Sequence, residues 1–346
     1  MLLLLFFLSG ATALVYEVLW MRRLTLVFGA SQLAIATVLA SFMTGLALGA
    51  RLGGRYADRG GRLLTVYALL ELFIAFYALA FPWLSDLLVP IYRALVSAEE
   101  AEFWFSRVVH LVLMGGLLLA PTAAMGATLP LLLRLAADRM SGVGTWLGLL
   151  YGANTLGAVV GTLLAGFFLL PNFGVRSSDY LAAGANIAVA LAALVLVRAL
   201  PWADRGRLRD DRAEQAEERA LLEVQEDPDR HQARLPGLRK VLPWLLLGSG
   251  FCAMVFEVAW SRLLGLILGS STYAFTLMLT AFLLGTALGA PSAAALLRRR
   301  AARPMRWLAA AARGKIRLAP AAPRCSSSPW GRRALPAGGN RFGRRA

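Results

Sequence analysis

Apolar positions in this chain gather into long unbroken runs, and the charged positions fall almost entirely between them. Eight runs, 2–28, 33–50, 63–84, 108–133, 145–170, 180–197, 241–268 and 273–297, are long enough to cross a bilayer as helices. A hydrocarbon core of about 30 Å needs roughly 20 apolar residues in helical form, because every backbone polar group must find its partner within the span. Barrel strands would instead alternate apolar and polar positions, and these runs do not. The pattern predicts an all-α polytopic membrane protein.

Composition agrees. Of 346 residues, 58% are hydrophobic and 16% charged, with a mean hydropathy of +0.62. A soluble domain is about 45–50% apolar and about 25% charged. A soluble globule and a disordered chain are both excluded. Two cysteines, Cys252 and Cys325, allow one bridge at most, which excludes a disulfide-built module. The net charge of +16 is local: residues 291–346 hold fourteen Arg and Lys and no acid, and the first 290 residues are left with a net of +2. A nucleic-acid partner would need basic residues spread over a folded face, so none is expected. The tail 298–346 reads as a polybasic lipid-binding or disordered segment, or as translation out of frame from about residues 312–315.

Loop charges set the expected orientation. Arg51, Arg55, Arg59 and Arg62 crowd the connection after the second run, and Arg298, Arg299 and Arg300 follow the eighth. The connection after the third holds Asp86, Glu99, Glu100 and Glu102 against Arg93 and Arg107. Positive-inside bias places the amino terminus and segment 201–240 in the cytoplasm, with the chain in the inner (plasma) membrane. Arg22, Arg23, Arg176 and Arg262 then fall on the outer side. Ala11-Thr12-Ala13 has the form of a signal-peptide cleavage site. No basic residue precedes it, and the same pattern recurs deep in the chain, so the first run is expected to remain a span.

The recurrence is an internal repeat. Residues 9–50 align without a gap on 249–290, with 20 identities over 42 positions, among them Glu17/Glu257, Trp20/Trp260, Arg22/Arg262, Gly45/Gly285 and Gly49/Gly289. Six spans separate the starts of the two copies, so both enter the membrane in the same direction, as parallel transporter repeats do. The expected organisation is a six-helix repeat over 1–200, a polar linker over 201–240, the first two helices of a second repeat over 241–297, and the basic tail.

Gly54-Arg55-Tyr56-Ala57-Asp58-Arg59-Gly60-Gly61-Arg62 lies between the second and third spans. It resembles the G-x-x-x-D-R-x-G-R loop of major facilitator transporters. That resemblance implies that Gly54, Asp58, Arg59, Gly61 and Arg62 brace neighbouring helix ends during alternating access. A wider resemblance rests on Phe7-Leu8-Ser9-Gly10, Val15-Tyr16-Glu17-Val18-Leu19-Trp20, the run from Ala120 to Pro130, and Asn154-Thr155-Leu156-Gly157-Ala158. Over residues 2–310 the chain resembles the membrane region of proteins that fuse a major-facilitator-like part to a spermidine-synthase-like domain. This implies a polyamine-related role and a chain truncated before the aminopropyltransferase. No strand followed by a glycine-rich turn and an acidic residue is present, so no catalytic residue, metal or cofactor is expected here.

Ionisable groups inside spans cost about 2.5–3.5 kcal/mol on insertion scales and are functional candidates by default. Glu17, Glu257 and Glu71 qualify as candidate substrate-binding residues, the first two at equivalent repeat positions. One reading is an anionic site at the repeat interface for a small cation such as a polyamine. The other, the commoner fate of buried charge, pairs each Glu with an Arg of a neighbouring helix. Arg22 follows Glu17 by five residues, about 140° round the helix, so a pair within one span is awkward. The motifs Gly45-x-x-x-Gly49-x-x-x-Gly53, Gly148-x-x-x-Gly152, Gly157-x-x-x-Gly161 and Gly285-x-x-x-Gly289 predict close helix contacts. Pro121 and Pro130 predict a bend or break in the fourth span. Asn154 and Asn186 are expected in interhelical hydrogen bonds, and Cys252 is expected to be buried.

Overall fold

A computed structural model describes residues 1–28, 32–96, 103–137, 143–199, 238–269 and 271–299. The described residues are helical, with no strand. The helices are α1 (Leu2–Phe28), α2 (Gln32–Asp58), α3 (Leu63–Val96), α4 (Phe103–Ala137), α5 (Val143–Leu163), a π-helical turn (Leu164–Leu169), α6 (Leu170–Ala199), α7 (Leu238–Leu268) and α8 (Ser271–Arg299). Residues 1–290 form one compact unit, and the second unit, 291–346, is described only as far as Arg299. Nearly all of the predicted linker and basic tail therefore lies outside the described residues.

Seven stretches are apolar and long enough to cross a membrane, and one of them, Gly148–Ala199, has 52 residues. At about 1.5 Å per residue it exceeds twice the hydrocarbon thickness. Gly174, at φ 72° and ψ −179°, breaks the helical path inside it, a conformation that costs glycine little. The predicted fifth and sixth spans are both there. Several helices outrun their apolar cores: α2 continues to Asp58, α3 to Val96, and α6 starts at Leu170. Hydropathy marks only the hydrocarbon segment, and a helix can continue through the polar headgroup region.

Helix α1 is the axis of the bundle and packs against α5, α6 and α3. Its pairing with α3 keeps a constant offset of 62 residues: Tyr67 donates to the Leu5 carbonyl, Ser9 to Glu71, and Arg23 to Ser85. The two helices run parallel and in register over some 27 Å. Around α1 the core is aromatic, with Trp20 stacked between Tyr16 (5.0 Å between centroids) and Phe81 (4.4 Å).

Two glycine motifs act as predicted. A side chain at Gly45 or Gly49 would strike Thr122 or the Ala123 backbone, and one at Gly53 would strike Ala127, so α2 and α4 touch backbone to backbone. Gly157 and Gly161 of α5 seat in the same way under the Phe7 and Ala11 carbonyls of α1. The other two motifs do not: a Cβ added at Gly148, Gly152, Gly285 or Gly289 would meet nothing within 4 Å among the described residues. Periodic small residues permit close approach, but another helix must arrive to use it.

Of the bend or break expected at Pro121 and Pro130, the break does not occur: α4 runs unbroken from Phe103 to Ala137. Pro121 has no N–H for the carbonyl one turn back, that of Leu117. The Tyr77 hydroxyl of α3 donates to that carbonyl at 2.6 Å. A neighbouring helix thus restores the bond that the proline removed, as membrane helices require.

Candidate functional site

Glu17 and Glu257 converge. Each is 2% exposed, and their carboxyl groups lie within electrostatic reach of one another. The sequence repeat therefore brings two buried acids, one from α1 and one from α7, within electrostatic reach of each other. Among the described residues, Oε1 of Glu17 and both carboxylate oxygens of Glu257 have no hydrogen-bond partner. Among the described residues the ion pairs are Arg23–Asp86 (2.8 Å) and Arg176–Asp86 (3.6 Å). The expectation that each Glu pairs with an Arg is thus not met among the described residues. Arg22 instead lines a small cleft with Val18, Met21, Thr25, Ile35, Thr272 and Phe275, between α1, α2 and α8. Helical geometry turns it away from Glu17.

The two repeat copies share sequence but not surroundings. Trp20 is fully buried, whereas Trp260 is 53% exposed on the outer surface of the bundle. Cys252, expected to be buried, is exposed on α7. Around it Leu247, Phe251 and Phe256 are also exposed. An apolar outer face is what lipid tails accept, since helices satisfy their own backbone. Helix α8 is held more firmly: Tyr273 stacks on Phe167 at 5.6 Å, and Thr276 occupies the space that a side chain at Gly166 would need.

Glu71 does not join the pair. It lies in the α1–α3 seam, where Ser9 donates to Oε1 at 2.5 Å and the Tyr67 hydroxyl stands beside it. Sequence reasoning missed a fourth buried acid, Asp179, which is fully enclosed and accepts a hydrogen bond from Trp20 Nε1 at 3.2 Å. The predicted sixth span began at Tyr180, one residue too late to include it. The polar run Arg176-Ser177-Ser178-Asp179 read as a loop. The missed signal was an acid directly abutting a long apolar run. Asn186, two turns further along α6, is buried with Oδ1 unpartnered, so its expected interhelical bond is absent at that atom. Asn154 does lie against α1, at Gly10.

The predicted loop at 54–62 is mostly helix. Gly54 and Asp58 lie in the last turns of α2, and only Arg59, Gly60, Gly61 and Arg62 form the connection. Gly60, at φ 69°, ends α2 with its N–H on the Ala57 carbonyl at 3.1 Å, a left-handed glycine stop. Arg62 starts α3, its carbonyl accepting from Val66 N at 3.0 Å. Gly61 leaves room for the Tyr56 ring.

Comparison with known proteins gives one family. The family model of the Major Facilitator Superfamily matches residues 1–314. No match was found among curated proteins or among solved structures. The match supports a transporter-like, multi-pass membrane protein and adds nothing on aminopropyl transfer. An all-helical bundle, a parallel repeat and a match over most of its length agree: the chain belongs to the Major Facilitator Superfamily.

Proposed function

We propose that this protein is a transporter that moves a small organic cation by rocking of its repeats, with Glu17 and Glu257 as the cation site. The observation that carries the reading is the convergence of the two repeat-equivalent acids, buried and short of partners. Uncompensated carboxylates are expensive inside a membrane and are kept where they do work. Two of them within electrostatic reach of each other would be complemented by an amine-bearing solute. Placement between the repeats is where alternating-access sites lie. Gly54, Asp58, Arg59, Gly61 and Arg62 would brace the α2–α3 end during rocking, on the side that positive-inside bias makes cytoplasmic. The likeness of the 15–20 segment to spermidine-synthase fusions makes polyamines the first substrates to try.

The test is uptake of labelled putrescine and spermidine into proteoliposomes holding the full chain. Saturable uptake that vanishes in Glu17→Gln and Glu257→Gln is the expected result. Normal uptake in both variants would remove the site from the proposal. Absence of saturable uptake for polyamines and other small cations would overturn the transport reading.

A further inference from the structure

The seam between α1, α3 and α6 holds a second set of buried polar groups, on a face of α1 about 100° round from Glu17. Ser9, Tyr16 and Arg23 recur every seven residues along α1 and so share one face. At one end of this stripe Ser9 holds Glu71. At the other, Trp20 holds Asp179, and Arg23 lies within electrostatic reach of Asp179. Tyr16 stands between them, its ring stacked on Trp20 and its hydroxyl within electrostatic reach of both acids.

Each of these groups is left with one atom unsatisfied: Glu71 Oε2, Tyr16 Oη and Asp179 Oδ2, with Asn186 Oδ1 on the same side of α6. Glu71, Tyr16 and Asp179 are all fully buried. Buried polar atoms are almost always hydrogen-bonded, and where protein supplies no partner an internal water does. The acids are partnered to α1 eleven residues apart, about 16 Å along its axis, which is roughly half of a hydrocarbon core. Opposite Tyr16 in the 62-residue register is Ala78, and Ala75 lies one turn before it. These small residues leave the ring its place.

We propose that Tyr16, with internal water, relays a proton between Asp179 and Glu71 within the first repeat. The proton leaves the Asp179 carboxyl for the water-linked Tyr16 oxygen, and the phenolic proton passes on to the Glu71 carboxylate. One O–H bond forms for each that breaks, and no electrons change hands. The seam helices α1, α3 and α6 supply the groups along the path. On α1 they are Ser9, Tyr16 and Arg23. On α3 they are Tyr67, Glu71 and Tyr77, and on α6 Asp179, Asn186 and Arg176. Helix α4, packed on α3, carries Arg134 and His110, the latter with its ring 5.9 Å from Tyr92, and α5, packed on α1, carries no charged side chain.

Infrared difference spectroscopy of the full chain in lipid films, stepped from alkaline to acidic buffer, tests it. A Glu17→Gln/Glu257→Gln background removes signals from the other acid pair and separates this test from the transport reading. Two carboxyl C=O bands are expected, one lost in Glu71→Gln and the other in Asp179→Asn. In Tyr16→Phe, which keeps the stacked ring, both bands should keep their midpoints, and after a fast pH jump the later of the two bands should follow the earlier at least about tenfold more slowly than in the parent. An unchanged rate in Tyr16→Phe overturns the relay. So does loss of either band when sodium replaces choline at fixed pH, which would mark a metal-cation site, and so do bands that never change with pH.

Discussion

The Tyr77 hydroxyl donates to the Leu117 carbonyl at 2.6 Å, the carbonyl that Pro121 leaves without its helical partner. Tyr77→Phe should therefore leave a carbonyl unsatisfied in the bundle, at a cost of about 1–3 kcal/mol. Pro121→Ala restores an N–H in the right place, so the double variant should be less destabilised than Tyr77→Phe alone. Reversible unfolding of the four proteins of this cycle in lipid measures the coupling. Simple additivity would show that the hydroxyl does not compensate the proline.

Arg23 holds the ends of α1 and α3 together through three bonds, to Ser85 Oγ (2.5 Å), the Pro82 carbonyl (2.8 Å) and Asp86 (2.8 Å). Asp86 is 52% exposed in its side chain and Arg23 only 13%. Asp86→Ala removes a partly screened partner and should cost about 1 kcal/mol or less. Arg23→Ala loses the enclosed bonds too and should cost about 1.5–3 kcal/mol. Thermal midpoints of the two variants should differ in that order, and high salt should narrow the Asp86 effect.

Gly49 and Gly289 are equivalent in the repeat but not in the bundle. A methyl group at Gly49 meets the Ala123 backbone, which cannot swing aside as a side chain would, whereas one at Gly289 meets nothing among the described residues. Gly49→Ala should push α2 from α4 and destabilise by about 1–3 kcal/mol. Gly289→Ala should stay within about 0.5 kcal/mol of the parent. Equal unfolding midpoints would show that the second repeat is packed like the first.

Cys252 reports on the outer face of α7. In a Cys325→Ser background, a lipid-soluble maleimide should label it in native membranes, and a charged, water-soluble maleimide should not. Labelling by the charged reagent would mean that this face of α7 lines water rather than lipid tails.

The spans were legible from hydropathy, because the bilayer forces backbone satisfaction into runs of about 20 residues. Helix α1 begins and ends where its apolar run does. Helices α2, α3 and α6 do not, since nothing in a hydropathy profile marks where a helix stops once it has left the hydrocarbon. Asp179 was lost at such an edge. Glu17 and Glu257 were legible as a pair through the repeat, and Glu71 as a lone intramembrane acid. That Glu71 belongs with Ser9 and Tyr67 in another seam was not.

The eight spans, the membrane-protein class and the 240-residue repeat follow from sequence alone. Apolar run length and strict positional identity are properties of the chain itself, and they need no neighbour to be seen. Only the tertiary structure decided which glycines are seats, which proline is compensated, and which acids meet. Each of those depends on what arrives across a helix interface, and helix rotation and register are set by partners distant in sequence. The same Gly-x-x-x-Gly spacing is packed at Gly45/Gly49 and open at Gly285/Gly289 for that reason.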